Sequence, residues 1–85
     1  MRSSIVTVYS AGPDCQLCRL TCECLERAGI DFVLIDLSDE HRESDRAFLR
    51  DELGYLSAPV VIVDGDSHLE WSGFRPDLIK SLILA

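Results

Sequence analysis

Stretches of apolar residues and a helical stripe of apolar positions alternate along the first half of this 85-residue chain. Residues 5–9 are β-branched and apolar on both faces, which is typical of a strand that is covered on both sides. Apolar positions then recur at helical spacing over residues 15–28, with Asp14 as the expected N-cap and Gly29 as the residue that ends the helix. The apolar run at residues 32–35 predicts a second covered strand, so this half of the chain indicates a βαβ unit.

The middle of the chain predicts a second helix and a hairpin. Residues 38–52 are charged and helix-prone. The apolar side of this helix is expected to consist of Phe48, Leu49 and Leu53. The apolar run at residues 60–63, the turn at residues 64–67 and the segment at residues 68–71 together predict a β-hairpin.

The last element is a helix that is expected to begin near Pro76, a favourable first-turn residue. Its expected buried residues are Leu78, Ile79, Leu82 and Ile83. The predicted order is therefore β-α-β-α-β-β-α, an α/β fold in which a four-stranded mixed sheet is flanked by three helices. At this length we expect one domain over residues 1–85.

Charge and hydropathy exclude some classes of partner. The net charge is −7 and the eight Lys and Arg residues are scattered, which argues against a nucleic-acid surface because phosphate contacts need clustered basic side chains. A hydrophobic content of 47% is enough for a packed core. Residues 5–9 are too short for a membrane span or a signal-peptide core, so we expect a soluble, cytoplasmic protein whose thiols are mostly reduced. We also expect a monomer.

All four cysteines lie between residues 15 and 24. Cys15 and Cys18 form a C-x-x-C at the predicted start of the first helix. Free backbone N–H groups and the positive end of the helix dipole lower the pKa of a thiol there toward ~7 or below, and the thiolate is the attacking species. We therefore interpret Cys15 as a nucleophile and Cys18, one turn further on, as the thiol that resolves its mixed disulfides. The alternative is that both are core sulfurs.

The other two cysteines are interpreted separately. Cys22 shares the helix face of the C-x-x-C pair, whereas Cys24 points toward the apolar stripe and is expected to be a small buried hydrophobe. Cys22 could be a redox backup, a site of oxidative damage or a third metal ligand. A zinc site needs four ligands, usually from two segments, and His41 and His68 lie in other elements. We therefore expect no metal site and interpret both histidines as surface or strand residues.

Two other stretches stand out. Pro59, after Ala58, is interpreted as a proline at the entry of a strand. Further on, a strand-to-helix turn carries two aromatic residues, Trp71 and Phe74, that could close the core. Arg75 stands at a helix start, where its charge opposes the helix dipole, so its charge is a candidate for some other role.

Three segments, VTVYS…PDCQLC, GYLSAPVVIVDG and WSGFRPDLI, occur in an order and spacing that resemble the NrdH-redoxins, small glutaredoxin-like proteins of the thioredoxin superfamily. The resemblance covers the chain from Ile5 to about Leu82. It implies a thioredoxin-like fold, the roles given above for the first two cysteines, and a cis peptide bond at Pro59 opposite Cys15. It also implies that the backbone of Ala58 is free to pair with a substrate strand.

The resemblance also implies a function. It makes the protein a protein-disulfide reductase that binds no cofactor itself. Electrons would come from NADPH through the flavoprotein thioredoxin reductase and pass to the large subunit of class Ib ribonucleotide reductase. The WSGFRP segment, residues 71–76, takes the place of the glutathione-binding turn of glutaredoxins. The expected partner contacts are Leu17, Ala58, Pro59, Trp71, Ser72, Gly73, Phe74 and Arg75.

The sequence departs from the family pattern beside the first cysteine. The usual lysine before the proline is absent and Asp14 adds an opposing charge, so we expect Cys15 to titrate higher than in typical relatives. Leu17 stands where a glutamine is common. Two other functions stay open. One is a glutathione-dependent glutaredoxin, which would need a positive residue near Cys15 and an acidic glutathione turn, and we expect both to be missing. The other is a metal, iron–sulfur or interaction module of the same fold.

Overall fold

Four strands and three α-helices follow one another in the predicted order within residues 5–65 and 68–84, which the computed structural model describes. These elements are β1 (Ile5–Ser10), α1 (Gln16–Arg27), β2 (Val33–Asp36), α2 (Glu43–Ala47), β3 (Val60–Asp64), β4 (Leu69–Ser72) and α3 (Pro76–Leu84). No helix in this part of the chain is long and apolar enough to cross a membrane.

The strands form one mixed sheet in the order β2-β1-β3-β4. β1 is parallel to β2 and antiparallel to β3, with Val8 opposite Val61. β3 and β4 form the predicted hairpin, in which Val61 lies opposite Trp71. The turn predicted at residues 64–67 lies partly outside the described residues. Because β1 and β3 are antiparallel, the carboxyl end of β1 and the amino end of β3 lie side by side at the same end of the sheet.

The segment between β2 and β3 differs from the single helix predicted over residues 38–52. It consists of a 3₁₀ turn at Glu40–Arg42, then α2, then a π-helical turn at Phe48–Glu52. Leu49 is buried, whereas Phe48 is exposed, so only part of the predicted apolar side faces the core. A π-helical turn places one extra residue in the turn, and this rotates neighbouring side chains away from the face that a regular α-helix would present.

Helix α1 begins one residue later than predicted. Cys15 has an extended backbone and is the N-cap, and its sulfur accepts a hydrogen bond from the Cys18 amide. The expectation that Asp14 caps the helix is therefore wrong, because the cap directly precedes the first helical residue and Cys15 occupies that place. Gly29 ends the helix as predicted, at φ +73°, and the amides of Gly29 and Ile30 make the two hydrogen bonds of a Schellman motif.

The core is formed by the inner strands, β4, α1 and α3. Its buried residues are Val6, Val8, Leu25, Val61, Val63, Trp71 and Ile79. Leu78 and Leu82 pack against this cluster as predicted. Ile83, predicted to be buried with them, is exposed instead.

The second strand is not covered on both sides as predicted. β2 lies at the edge of the sheet with β1 as its strand neighbour, and both Val33 and Leu34 are exposed. β1 itself is fully covered on one face, where Val8 is buried, and only half covered on the other, where Tyr9 lies. An apolar run predicts a strand, but the order of strands in the sheet decides which strand lies at an edge.

Candidate functional site

A disulfide joins Cys15 and Cys18 at the amino end of α1, with their Cα atoms 5.2 Å apart. Cys15 is half-buried, whereas Cys18 is only 2% exposed. The Cys18 amide donates to the Cys15 sulfur over 3.2 Å, and the Ala11 amide donates to the Cys18 sulfur over 3.5 Å. Cys15 is therefore the member of the pair that an incoming molecule can reach, and the alternative of a core sulfur fits Cys18 alone.

The disulfide opens into a cleft of about 390 Å³. Its lining includes Pro13, Cys15, Cys18, Arg19, Cys22 and Asp36. Arg19 and Asp36 bring one positive and one negative side chain to the cleft, and neither was predicted for this site. Arg19 stands four residues after Cys15, a spacing at which helical neighbours share a face, so a sequence signal for it existed. Asp36 ends β2 and reaches the cleft only through the pairing of β2 with β1.

The turn before Cys15 is held close to the end of β2. Gly12 donates its amide to the Ser10 hydroxyl over 3.0 Å, and the Cys15 amide donates to the Gly12 carbonyl over 3.2 Å. Gly12 has φ +124°, and a Cβ atom there would lie 3.2 Å from the Ser38 hydroxyl oxygen. Both the backbone conformation and the lack of room therefore favour glycine at this position.

Cys22 and Cys24 both carry free thiols. Cys22 lines the same cleft as the disulfide, in agreement with the helix face predicted for it. Burial, and then the negative charge of Glu26, raise the pKa of Cys22 above its ordinary value. Cys24 is half-buried and packs against the core. No group of three or more His, Cys, Asp or Glu side chains suited to a metal ion occurs among residues 5–65 and 68–84.

Both histidines lie at the surface, as predicted. His41 is exposed and its Nδ1 lies 3.2 Å from a carboxylate oxygen of Asp39. His68 lies between two carboxylates, with its Nε2 2.8 Å from Glu70 and its Nδ1 3.5 Å from Asp64. The hydrogen bonds to Glu70, and then to Asp64, raise the pKa of His68 above its ordinary value.

The Ala58–Pro59 peptide bond is cis, as the resemblance implies. Pro59 is buried and Ala58 is half-buried. Because Tyr9 pairs with Val60, Pro59 lies beside the end of β1, at the end of the sheet from which the chain turns toward Cys15. The structure therefore brings the disulfide and the cis-proline to the same end of the sheet.

Two exposed leucines lie on the segments that carry the disulfide and the cis-proline. Leu17, in the first turn of α1, is exposed as expected for a residue at the rim of the site. Leu56 is 87% exposed and lines a second cleft, of about 240 Å³, together with Ala11 and Ala58. Leu56 was not among the predicted partner contacts, although an apolar residue three positions before Pro59 was a usable signal. Leu17 and Leu56 give this end of the sheet an apolar surface.

Trp71 belongs to the core and not to the surface. It is 5% exposed and lies opposite Val61 in the hairpin, within the main core cluster. Its indole N–H is buried and has no hydrogen-bond partner among the described residues. Trp71 therefore closes the core, as one of the two aromatic residues of this segment was expected to do, and it offers little surface to a partner.

The residues after Trp71 reach the cis-proline. Gly73 has φ +87°, a conformation that favours glycine, and its amide donates to the Pro59 carbonyl over 2.8 Å. Ser72 and Phe74 are half-buried on either side of it. The turn therefore ties β4 to the segment that carries the cis bond.

Arg75 directly precedes α3, and its carbonyl accepts hydrogen bonds from the amides of Leu78 and Ile79. Its exposed guanidinium makes two hydrogen bonds with Asp77, at 2.9 and 3.1 Å. These bonds lower the pKa of Asp77. Asp77 lies in the first turn of the helix, where a negative charge is favourable, so it offsets the unfavourable position of the arginine.

Comparison with known proteins agrees with this geometry. Residues 6–68 match the Glutaredoxin family. The glutaredoxin-like protein NrdH of Escherichia coli strain K12 is 43% identical over 77 residues, which cover 91% of this chain and 86% of that protein. The chain belongs to the NrdH-redoxin family.

Solved structures show that this NrdH-redoxin has a thioredoxin-like fold. The NrdH-redoxin from Escherichia coli is 39% identical and superimposes with a TM-score of 0.72, over 91% of this chain and 92% of that one. A glutaredoxin from Archaeoglobus fulgidus is 32% identical and gives a TM-score of 0.74, over 96% and 88%. Overall shape therefore does not separate NrdH-redoxins from glutaredoxins. In this NrdH-redoxin the redox-active disulfide joins Cys15 and Cys18.

Proposed function

We propose that this protein is a dithiol–disulfide electron carrier that reduces disulfides in other proteins. The observation that supports the proposal most directly is the disulfide at the start of α1, whose two members differ in exposure. An accessible Cys15 can attack a target. A buried Cys18 is shielded from outside reactants until a mixed disulfide forms next to it.

In the reduced protein, the Cys15 thiolate attacks one sulfur of a target disulfide. A Cys15–target bond forms, and the other target sulfur leaves as a thiolate that takes up a proton. Cys18 then loses its proton and attacks the Cys15 sulfur, which expels the second target sulfur and leaves the Cys15–Cys18 disulfide. This second target sulfur also leaves as a thiolate and takes up a proton. The target has gained two electrons, both from the carrier, and two protons: one is that of Cys18, and the other comes from the solvent, which received the Cys15 proton when that thiol ionised.

The electrons would return to the carrier from NADPH through the flavoprotein thioredoxin reductase. The target would be a disulfide in the large subunit of class Ib ribonucleotide reductase. Similarity to the Escherichia coli NrdH-redoxin, whose structure is described as the basis of a thioredoxin-like activity profile, supports this route. The carrier itself needs no bound cofactor, because the two thiols hold both electrons. The reaction would belong in the cytoplasm, where thiols are kept reduced.

One observation favours a glutathione-dependent glutaredoxin as the second candidate. Arg19 brings a positive side chain to the cleft beside Cys15, although such a charge was predicted to be missing. A guanidinium can bind a carboxylate of glutathione. Against this candidate, residues 71–76 contain no acidic residue, and the Gly73 amide already donates to Pro59.

One experiment separates the two candidates. The oxidised protein is mixed with NADPH and either thioredoxin reductase or glutathione with glutathione reductase, and the absorbance of NADPH is followed. We expect fast turnover with thioredoxin reductase and little with glutathione. Fast turnover only with glutathione overturns the proposed route. A Cys15→Ser variant that still binds its partner and keeps its function would favour an interaction module. Ribonucleotide reductase assayed with the pre-reduced carrier as its only electron donor tests the target.

A further inference from the structure

Residues 53–59 lead to the cis-proline, and we call them the entry segment. Near its start, the Tyr55 amide donates to the Leu49 carbonyl over 2.9 Å. At its end, the Pro59 carbonyl accepts the Gly73 amide. Between these two points, Leu56 and Ser57 are exposed. Backbone hydrogen bonds therefore hold the two ends of the segment and leave its middle to side-chain contacts.

One side-chain hydrogen bond fastens the entry segment to the sheet within residues 5–65 and 68–84. The Tyr55 hydroxyl donates to a carboxylate oxygen of Glu70 over 2.9 Å. Glu70 lies in β4, and its second carboxylate oxygen is 2.8 Å from Nε2 of His68. Tyr55 is half-buried and the Glu70 side chain is only 25% exposed, so the bond is partly shielded from water.

The ionisation states of Glu70 and Tyr55 fix which of the two groups donates the hydrogen bond and which accepts it. The hydrogen bonds from His68 and Tyr55 lower the pKa of Glu70, so its carboxylate is ionised and acts only as an acceptor. Burial, and then the hydrogen bond to Glu70, raise the pKa of Tyr55, so its hydroxyl stays a donor. A hydrogen bond to an ionised group is stronger than one between neutral groups.

We infer that Tyr55 is a positioning residue for the redox reaction: its hydrogen bond to Glu70 fixes the backbone around Ala58 in the place where a target strand pairs with it. The inference rests on the proposed function, because a fixed Ala58 matters only when a protein target docks there. Without the hydroxyl, the middle of the entry segment is free to shift. A displaced Ala58 backbone then weakens target binding and leaves Cys15 unchanged.

The test compares a protein disulfide with a small reagent. Reduced, desalted wild-type and Tyr55→Phe proteins are mixed with increasing concentrations of insulin, which gives a half-saturating concentration and a maximal rate. Alkylation of Cys15 by iodoacetamide, followed by mass spectrometry, reports the reactivity of that sulfur alone. We expect the half-saturating concentration of insulin to rise about 3- to 10-fold in Tyr55→Phe. The maximal rate with insulin and the rate of Cys15 alkylation should both stay within about twofold of wild type.

Variants of the acceptor test whether the effect belongs to this bond. Glu70→Ala should reproduce the loss, and also serves if Tyr55→Phe fails to fold. Glu70→Gln, whose amide oxygen still accepts a hydrogen bond, should keep most of the wild-type affinity. The double variant should be no weaker than the weaker single variant, because both changes remove one interaction. Tyr9→Phe is the matched control, since Tyr9 is also half-buried but its hydroxyl makes no hydrogen bond within the described residues.

The outcomes separate this inference from the function on which it rests. An unchanged half-saturating concentration in both Tyr55→Phe and Glu70→Ala overturns the inference and leaves the proposed function intact. Equal losses in insulin binding and in Cys15 alkylation also overturn it, because the change then acts on the sulfur. If the wild-type protein reduces no insulin although Cys15 alkylates normally, the proposed function fails and this inference fails with it.

Discussion

The backbone amide of Cys18 donates a hydrogen bond to the sulfur of Cys15 over 3.2 Å. An amide in this position of a helix usually binds the side-chain oxygen of an N-cap residue, so the Cys15 sulfur takes the place of that oxygen. Cys15 therefore both starts the helix and carries the reactive atom. A thiolate accepts such a bond more strongly than a thiol does, because the bond is then charge-assisted.

Replacement of each disulfide cysteine by serine should stop turnover in a different way. Cys15→Ser should remove all measurable disulfide reduction, because a serine hydroxyl is not ionised near neutral pH. Cys18→Ser should accumulate a mixed disulfide between Cys15 and the target, because no second thiol resolves it. Non-reducing electrophoresis and mass spectrometry detect this adduct, and Cys24→Ser is the control with near wild-type turnover. A mixed disulfide formed through Cys18 in the Cys15→Ser variant would reverse the assignment of roles.

Cys22 should react slowly with alkylating agents at neutral pH. Burial and the charge of Glu26 raise its pKa, so little thiolate is present. Glu26→Gln should speed the alkylation of Cys22 about two- to threefold, because the opposing charge is removed. Mass spectrometry of the oxidised protein measures this rate without competition from the Cys15–Cys18 disulfide. Glu23→Gln, at an exposed position of the same helix, is the matched control, and equal acceleration in both variants would exclude a specific effect of Glu26.

The His68–Glu70 pair should make the stability depend on pH. The pKa of His68 is raised, so its contribution is complete below its unfolded value of 6.5 and is lost as the pH rises through the folded value. The pKa of Glu70 is lowered, so its contribution is present above its unfolded value of 4.5 and is lost as the pH falls through the folded value. The difference in unfolding free energy between wild type and His68→Gln should therefore be largest at about pH 5 to 6 and shrink at higher pH.

Urea unfolding at a series of pH values measures this difference. His68 is exposed, so 1 M salt should reduce the difference by screening. Glu70→Gln should remove most of the pH dependence, because the amide carries no charge. A difference that grows as the pH rises from about 6 to 8 would contradict the sign derived from the raised pKa of His68.

Two isoleucines of α3 should differ in their contribution to stability. Ile79 is 1% exposed, whereas Ile83, one turn further along, is 55% exposed. Ile79→Ala should lower the free energy of unfolding by about 2–5 kcal/mol, because the truncation leaves a cavity in the core. Ile83→Ala should cost less than about 1 kcal/mol. Guanidinium unfolding of the oxidised protein measures both losses, and losses of equal size would contradict the exposed position of Ile83.

Local rules were sufficient for much of the fold and for the reactive pair. The order of strands and helices followed from apolar periodicity, and Gly29 was recognisable as a helix end because glycine tolerates a positive φ. The position of Cys15 at a helix start followed from the strand and turn before it. The cis bond at Pro59 came from the family resemblance, since the sequence Ala-Pro is compatible with either isomer.

The predictions that failed depend on which elements meet in space. The apolar run of β2 would look the same at the edge or the centre of a sheet, so the exposure of Val33 was not visible in the sequence. For the same reason, the sequence left open whether Trp71 or Phe74 closes the core, because the neighbours of Trp71 in the core come from other elements. The bond between Tyr55 and Glu70 joins residues fifteen positions apart, which no local pattern reveals.

The two inner strands of the sheet carry both halves of the site, because β1 leads to Cys15 and β3 begins directly after Pro59. Each inner strand is braced by a neighbour on both sides, so it resists deformation more than an edge strand does. The strands that carry Cys15 and Pro59 therefore keep the two residues in a fixed relative position, and a target protein has to adjust its own conformation to reach both. Such a site favours target proteins whose disulfide lies on a flexible tail or loop.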